Sequence, residues 1–243
     1  MEGPDPRQPG PRRVLVFSLA AVACLAVATF ASGAALATLT TAPTASERAA
    51  AAAVAMADRW RSWPAGRIFP ATLGYQTDLL TSESASRVGI SPEDSCAAAV
   101  DVGVRSLEIR EHCRAGLRAT YIDGLQGIVY TIGVLAFPSS HDAAAFFGAL
   151  PTGGRLSGTV RAFALAGTGA ARFTDAARQF AKARRAGPFV VLVAAGYADG
   201  RARSATAEPR PSIFSPASEL AAEILRPLTA PVAVQCGTPQ WSC

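Results

Sequence analysis

Asparagine is absent from this chain, lysine occurs once, at Lys182, and histidine twice, at His112 and His141. Without asparagine there is no acceptor for an N-linked sugar. Two histidines leave little material for acid–base or triad chemistry. No GxSxG, HExxH or GxxxxGK[ST] pattern occurs, so the nucleophile elbow, the zinc-peptidase helix and the P-loop all lack their signatures. Ser139, Ser140, His141 and Asp142 are consecutive. Triad members converge from separated positions, and neighbours along a helix do not face each other, so these four read as a capped helix start. Carboxylates are scattered, with no pair poised for glycoside cleavage. Aromatic residues make up only 7% of the chain, so its core has to be built from alanine, valine and leucine.

What the chain does have is Val14 to Thr40, VLVFSLAAVACLAVATFASGAALATLT, a run without a charged side chain. About 20 apolar residues in a helix cross the hydrocarbon of a bilayer. Residues 14–40 are therefore expected to be a transmembrane anchor. Arg7, Arg12 and Arg13 precede the run, and the first charges after it are Glu47 and Arg48. The positive-inside bias places residues 1–13 as a cytoplasmic tail, rich in proline and glycine, and exports the remainder. Two other readings stay open: a signal peptide cleaved near Ala35-Leu36-Ala37, and a poor lipoprotein box ending at Cys24.

Four cysteines follow the run: Cys96, Cys113, Cys236 and Cys243. An even number in an oxidising compartment reads as two disulfides. The metal alternative, built on Cys96, His112 and Cys113, lacks the paired spacing of structural zinc sites, so no metal is expected. Ser91-Pro92-Glu93-Asp94 is a helix start, and one unbroken helix to His112 would hold Cys96 and Cys113 about 25 Å apart. Bridged Cα atoms lie within about 7 Å. Either the region bends near Asp101 and Gly103 and closes Cys96–Cys113 locally, leaving Cys236–Cys243, or it stays straight and each cysteine is tied to the C-terminal tail.

Residues 41–64 read as a juxtamembrane helix and linker, with Ser46 as N-cap, Glu47 in the first turn and a stop at Pro64. Asp58-Arg59-Trp60-Arg61-Ser62-Trp63 suits docking onto the exported domain, or a membrane interface. The domain is expected over 65–243. Its elements are an extended edge segment near Arg67 to Gln76 and a central hairpin, Arg118 to Asp123 with Gly127 to Phe137. A helix from Pro138 to Leu150, a strand from Thr159 to Ala166 and a helix from Arg172 to Arg185 follow. Pro188 to Tyr197 is a valine-rich strand, and the last helix runs from Ser218 to Leu228. This is an α+β pattern, an antiparallel sheet packed against helices on one face. Gly167-Thr168-Gly169 ahead of the Arg172 helix reads as a strand-to-helix turn, because Arg172 stands where a dinucleotide fingerprint needs its third glycine. No cofactor is expected.

Arg172, Arg178, Lys182, Arg184 and Arg185 form one basic segment, a candidate for binding an anionic surface such as phospholipid headgroups or wall polymer. The net charge of +5 is too small to call for nucleic acid. With arginine in place of lysine and no asparagine, the composition and layout resemble those of single-pass, membrane-anchored extracytoplasmic proteins of high-G+C Gram-positive bacteria. FPATLGY, RATYID and GYADGR serve as loose landmarks. The resemblance implies a cell-membrane location and a disulfide-bearing outer domain, and it brings no functional residues with it. The expected function is that of an envelope accessory protein acting by contact with a protein partner rather than by catalysis. Two alternatives are an extracytoplasmic module that binds a small ligand or wall fragment, and a hydrolase using His112 or His141.

Overall fold

The computed structural model describes residues 22–25, 27–29, 43–77, 81–106, 112–151, 159–203 and 211–234. The chain divides into two units, Met1–Glu47 and Arg48–Cys243. In the first, residues 22–25 and 27–29 are helical, and Val22, Leu25 and Val27 are 65%, 66% and 69% exposed. Among the described residues no helix is long and apolar enough to cross a membrane. Most of the span expected over 14–40, and the tail over 1–13, lie outside the described residues. The next helix, α1 (Ala45–Ala57), begins two residues earlier than the Ser46 cap implies. Thr44 is its cap: Thr44 Oγ1 accepts from Glu47 N–H at 3.2 Å, while Glu47 Oε2 accepts from Thr44 N–H at 2.7 Å. That reciprocal pair is a capping box, and its hydrogen bonds hold the Glu47 carboxyl below its ordinary pKa.

The second unit is organised on a six-stranded antiparallel sheet of order β1-β2-β3-β4-β6-β5. The strands are β1 (Thr72–Gln76), β2 (Ser82–Ile90), β3 (Ala115–Asp123), β4 (Ile128–Ala136), β5 (Arg178–Ala186) and β6 (Phe189–Tyr197). The β3–β4 hairpin lies at the centre, as its β-branched and aromatic content predicts. Asp123 Oδ1 closes it by accepting from the N–H groups of Gly127 (2.7 Å) and Ile128 (2.9 Å). β1 is an edge, in keeping with Pro70 just ahead of it. β2 was not legible: its SESASRVGI carries mostly polar residues, and only Ala85 is buried.

β4 and β6 are buried along nearly their whole length. Each fully buried valine or leucine contributes roughly 1.5–3 kcal/mol, so neither face of this pair can be left to water. Tyr130, Ile132, Val134, Val191 and Val193 meet Leu220, Ile224 and Leu228 of helix α6 (Pro216–Thr229), with Ile68 of the short helix α3 (Ala65–Ile68) and Phe69. On the opposite face Leu135, Val190 and Leu192 meet Ala99 and Val104, and Ala143 and Phe146 of helix α5 (Ser140–Ala149). The sheet is therefore covered on both faces, not on one. Ser139 caps α5, accepting from Asp142 N–H at 3.2 Å, as the sequence predicts.

The strand expected over Thr159 to Ala166 is not one. Only Val160 pairs, in an isolated bridge with Val100, and residues 159–177 run across the second face as an irregular strap. The helix expected over Arg172 to Arg185 is likewise replaced, by a 3-10 turn at Asp175–Ala177 and then β5. The region after Ser91 bends. Helix α4 (Cys96–Ala99) is capped by Ser95, a separate 3-10 turn follows at Val102–Val104 with Asp101 before it, and Cys96 and Cys113 are bridged with Cα atoms 6.4 Å apart. The local closure is the connectivity observed. Cys236 and Cys243 lie outside the described residues. α4 rests directly on β3 because Gly116 has no side chain: a Cβ there would come within 2.8 Å of Cys96 Cα.

Removing the bridge frees the unfolded chain between residues separated by 17 positions. Replacing Cys96 and Cys113 together by alanine is expected to lower stability by about 3 kcal/mol in urea denaturation. An unchanged midpoint would show that the bridge does not restrain the fold.

The phenols offer a pH test. Burial, reinforced by Glu83, pushes Tyr75 well above its ordinary pKa, and burial does the same to Tyr121 and Tyr130. Their contribution is fully present below the unfolded value near 10 and is lost as pH climbs toward the raised folded values. Tyrosine absorbance in alkali should rise for these three only as the chain unfolds. All tyrosines ionising near pH 10 in a still-folded protein would refute their burial.

Candidate functional site

The basic segment singled out in the sequence is rich in alanine and arginine, both good helix formers. It is nevertheless a strand, because a two-residue Gly187-Pro188 turn folds it back on β6 with Ala186 opposite Phe189. Gly187 has φ of +51°, which glycine adopts without strain and which suits the first position of a tight hairpin turn. Once paired, side chains alternate with period two. Phe180, Lys182, Arg184 and Ala186 take the face shared with Ala195, Val193, Val191 and Phe189, toward α6. Ala181, Ala183 and Arg185 take the other, toward α5.

The five basic residues therefore do not share one helical face. Lys182, Arg184 and Arg185 are exposed along the strand, and Arg184 donates to Ser218 Oγ of α6 at 3.0 Å. Arg172 is exposed but lies before the strand, in the strap, where Gly200 lets its backbone approach closely. Arg178 is not available to a ligand at all. It is 8% exposed, and its Nη1 donates to Asp101 Oδ2 (3.0 Å), Thr159 Oγ1 (2.9 Å) and the Val160 carbonyl (3.0 Å), while Nε donates to the Asp175 carbonyl (3.0 Å).

This buried cation holds the strap. A segment outside the ladder has to find other partners for its backbone, and beside backbone bonds such as Arg161 N–H to the Ala99 carbonyl (2.8 Å) the strap draws on side chains. Ala162 N–H donates to Asp175 Oδ1 (2.7 Å), Thr120 Oγ1 donates to the Phe163 carbonyl (2.6 Å), and Phe163 N–H donates to Thr131 Oγ1 (3.1 Å). Gly133 allows Val160 onto the sheet, since a Cβ there would lie 2.7 Å from Val160 Cγ2. Beside it Arg118, also buried, reaches Glu93 at 3.1 Å, and desolvation lowers its pKa.

A second structural arginine fastens the helix that follows the apolar run. Arg59, at the start of α2 (Arg59–Ser62), donates to the carbonyls of Pro227 (3.0 Å) and Leu228 (2.7 Å). These belong to the last turn of α6, where helix carbonyls run out of i+4 partners; Pro227 otherwise accepts only a long bond, 3.4 Å, from the capping Ala230 N–H. The Trp63 ring lies 4.9 Å from Arg59 Cζ and 3.7 Å from Arg67 Cζ, and Trp60 and Trp63 pack against the core. Desolvation, with Arg67 nearby, lowers the Arg59 pKa. Arginine among tryptophans was the sequence signal for docking; that the target would be a helix C-terminus was not readable.

The histidines do not build a catalytic centre. His112 and His141 are exposed, and His112 Nδ1 lies 3.8 Å from Asp142 Oδ1. Ser139 Oγ hydrogen bonds to Asp142, not to an imidazole. The order is serine, carboxylate, histidine, so no imidazole is placed to receive the hydroxyl proton. Among the described residues no group of three or more His, Cys, Asp or Glu is placed to hold a metal ion.

If Arg178 anchors the strap, replacing it with alanine takes the cation away from Asp101, which keeps its bond from Thr159 N–H, and should destabilise by about 3 kcal/mol. Arg185→Ala, on the exposed strand, should stay within about 0.5 kcal/mol. Denaturation curves that coincide for the two variants would remove the distinction drawn between them. The chain matches no family model, no curated protein and no solved structure, so what this basic strand does rests on its geometry and chemistry.

Proposed function

We propose that this chain is a membrane-anchored extracytoplasmic protein of the cell envelope that works by contact with a protein partner, not by catalysis. Residues 14–40 span the membrane once, the N-terminus faces the cytoplasm, and the disulfide-bearing α+β domain faces outward. The observation that carries the reading is the Cys96–Cys113 bridge. Disulfides persist in oxidising compartments and are rare in the reducing cytosol. It is supported by the uncharged run Val14 to Thr40 with arginines before it, and by the exposure of Val22, Leu25 and Val27, apolar side chains suited to lipid.

Contact as the mode of action is supported by the arrangement of the polar groups. The buried arginines are committed to holding the fold, Ser139 gives its hydroxyl hydrogen bond to Asp142 and not to an imidazole, and Lys182, Arg184 and Arg185 stand exposed on a strand at the rim of the sheet. Tethering raises the effective concentration of such a surface near other membrane proteins, so a modest affinity suffices.

Protease added to intact spheroplasts should digest the outer domain, and a thiol reagent should label Cys96 and Cys113 only after reduction. Affinity capture from native membranes should recover a reproducible protein partner. A domain protected from external protease overturns the topology, and capture of the protein alone overturns the contact function.

A further inference from the structure

We propose that the outer edge of β5 receives an extended acidic segment of the protein partner, which adds to the sheet as a further strand. This rests on the reading that the protein acts by protein contact, and it names the surface and the chemistry of the partner.

The sheet has two edges. β1 is five residues long, and its last N–H, that of Gln76, is taken by the Glu219 carboxylate at 2.7 Å. β5 is nine residues long, and no described residue outside β6 hydrogen bonds to the backbone of Gln179 to Ala186. An open edge presents alternate N–H and C=O groups to any chain that can pair with them. No proline interrupts this one.

The charges select which chain that is. Lys182 and Arg184 stand on the α6 face of the sheet and Arg185 on the α5 face, all exposed. A lipid surface or a flat polymer is met by cations sharing one plane, and these do not share one. What they have in common is the edge itself. An extended peptide paired there carries its own side chains alternately to both faces, so carboxylates at successive positions meet cations on each side. A second copy of β5 would set like charges opposite one another, which is unfavourable. The same cations that discourage pairing of the edge with itself therefore favour an acidic strand.

The test uses the full chain in nanodiscs and the decapeptide Glu-Glu-Val-Thr-Glu-Glu-Val-Thr-Glu-Val, whose adjacent glutamates put carboxylates on both faces of the added strand. Binding is read by fluorescence anisotropy and by hydrogen exchange of the β5 amides. The peptide should bind and slow exchange along Gln179 to Ala186. K182E/R185E should weaken binding at least about tenfold, as expected for the loss of two cross-strand charge pairs. A peptide of the same charge with prolines at alternate positions should not bind. R185E alone, checked for unchanged far-UV circular dichroism, should give an intermediate loss. No binding overturns the proposal. So does equal binding of the proline peptide or of phosphatidylglycerol vesicles without β5 protection, since charge alone would then suffice. Protection of β5 by concentration of the protein itself overturns it in favour of self-association. If K182E/R185E captures the same partner from membranes as the unaltered chain, the edge is excluded while the contact function stands.

Discussion

β4 and β6 are apolar on both faces, and an antiparallel pair of that kind in water has to be roofed twice. One roof is ordinary: α6 lays Leu220, Ile224 and Leu228 across it at helical spacing. The other is assembled from pieces, α4, α5 and the strap over 159–177. An irregular strap over a hydrophobic sheet brings backbone polar groups into a dry place. The buried arginine at 178, the carboxylates of Asp101 and Asp175, and the threonine pair Thr120 and Thr131 follow from that requirement. They belong to the fold before they belong to any function.

The same requirement explains what could and could not be read from the sequence. The β3–β4 hairpin, β6, α5 and α6 are self-consistent: β-branched runs or helical spacing agree with where the chain ends up, and Ser139 caps α5. Residues 159–177 and β5 fail that agreement. Thr159 to Ala166 has strand-like composition, yet Val160 is drawn over Gly133 and the segment leaves the ladder, a choice made by the sheet beneath it. Arg178 to Ala186 has helix-like composition, yet a tight turn at Gly187 commits it to β6. Tertiary pairing outweighs propensities of a few tenths of a kcal/mol per residue.

The cysteines show the reverse case, where a sequence constraint carried real geometry. A straight helix from Ser91 to His112 is incompatible with a local bridge, so the bend near Asp101 and the bridge stand or fall together, and both occur. The basic candidate site was legible only as composition. That Arg178 is sequestered while Lys182, Arg184 and Arg185 remain outside depends on a register that no helical reading of the segment contains.

A strand with so little intrinsic preference for being one invites the question of why its charges stay. Part of the answer is packing. Long aliphatic stems can lie along apolar surface while their heads reach water, and Lys182 and Arg184 stand opposite Val193 and Val191 at the margin of the α6 core. Alanine at 181 and 183 keeps the other face thin enough for α5 to sit close. The cations thus finish the margin of the sheet and keep its open backbone from meeting another of its kind. Under the proposed strand addition, a partner that uses this backbone has to bring carboxylates, and the cations that disfavour pairing of the edge with itself are the ones that would select it.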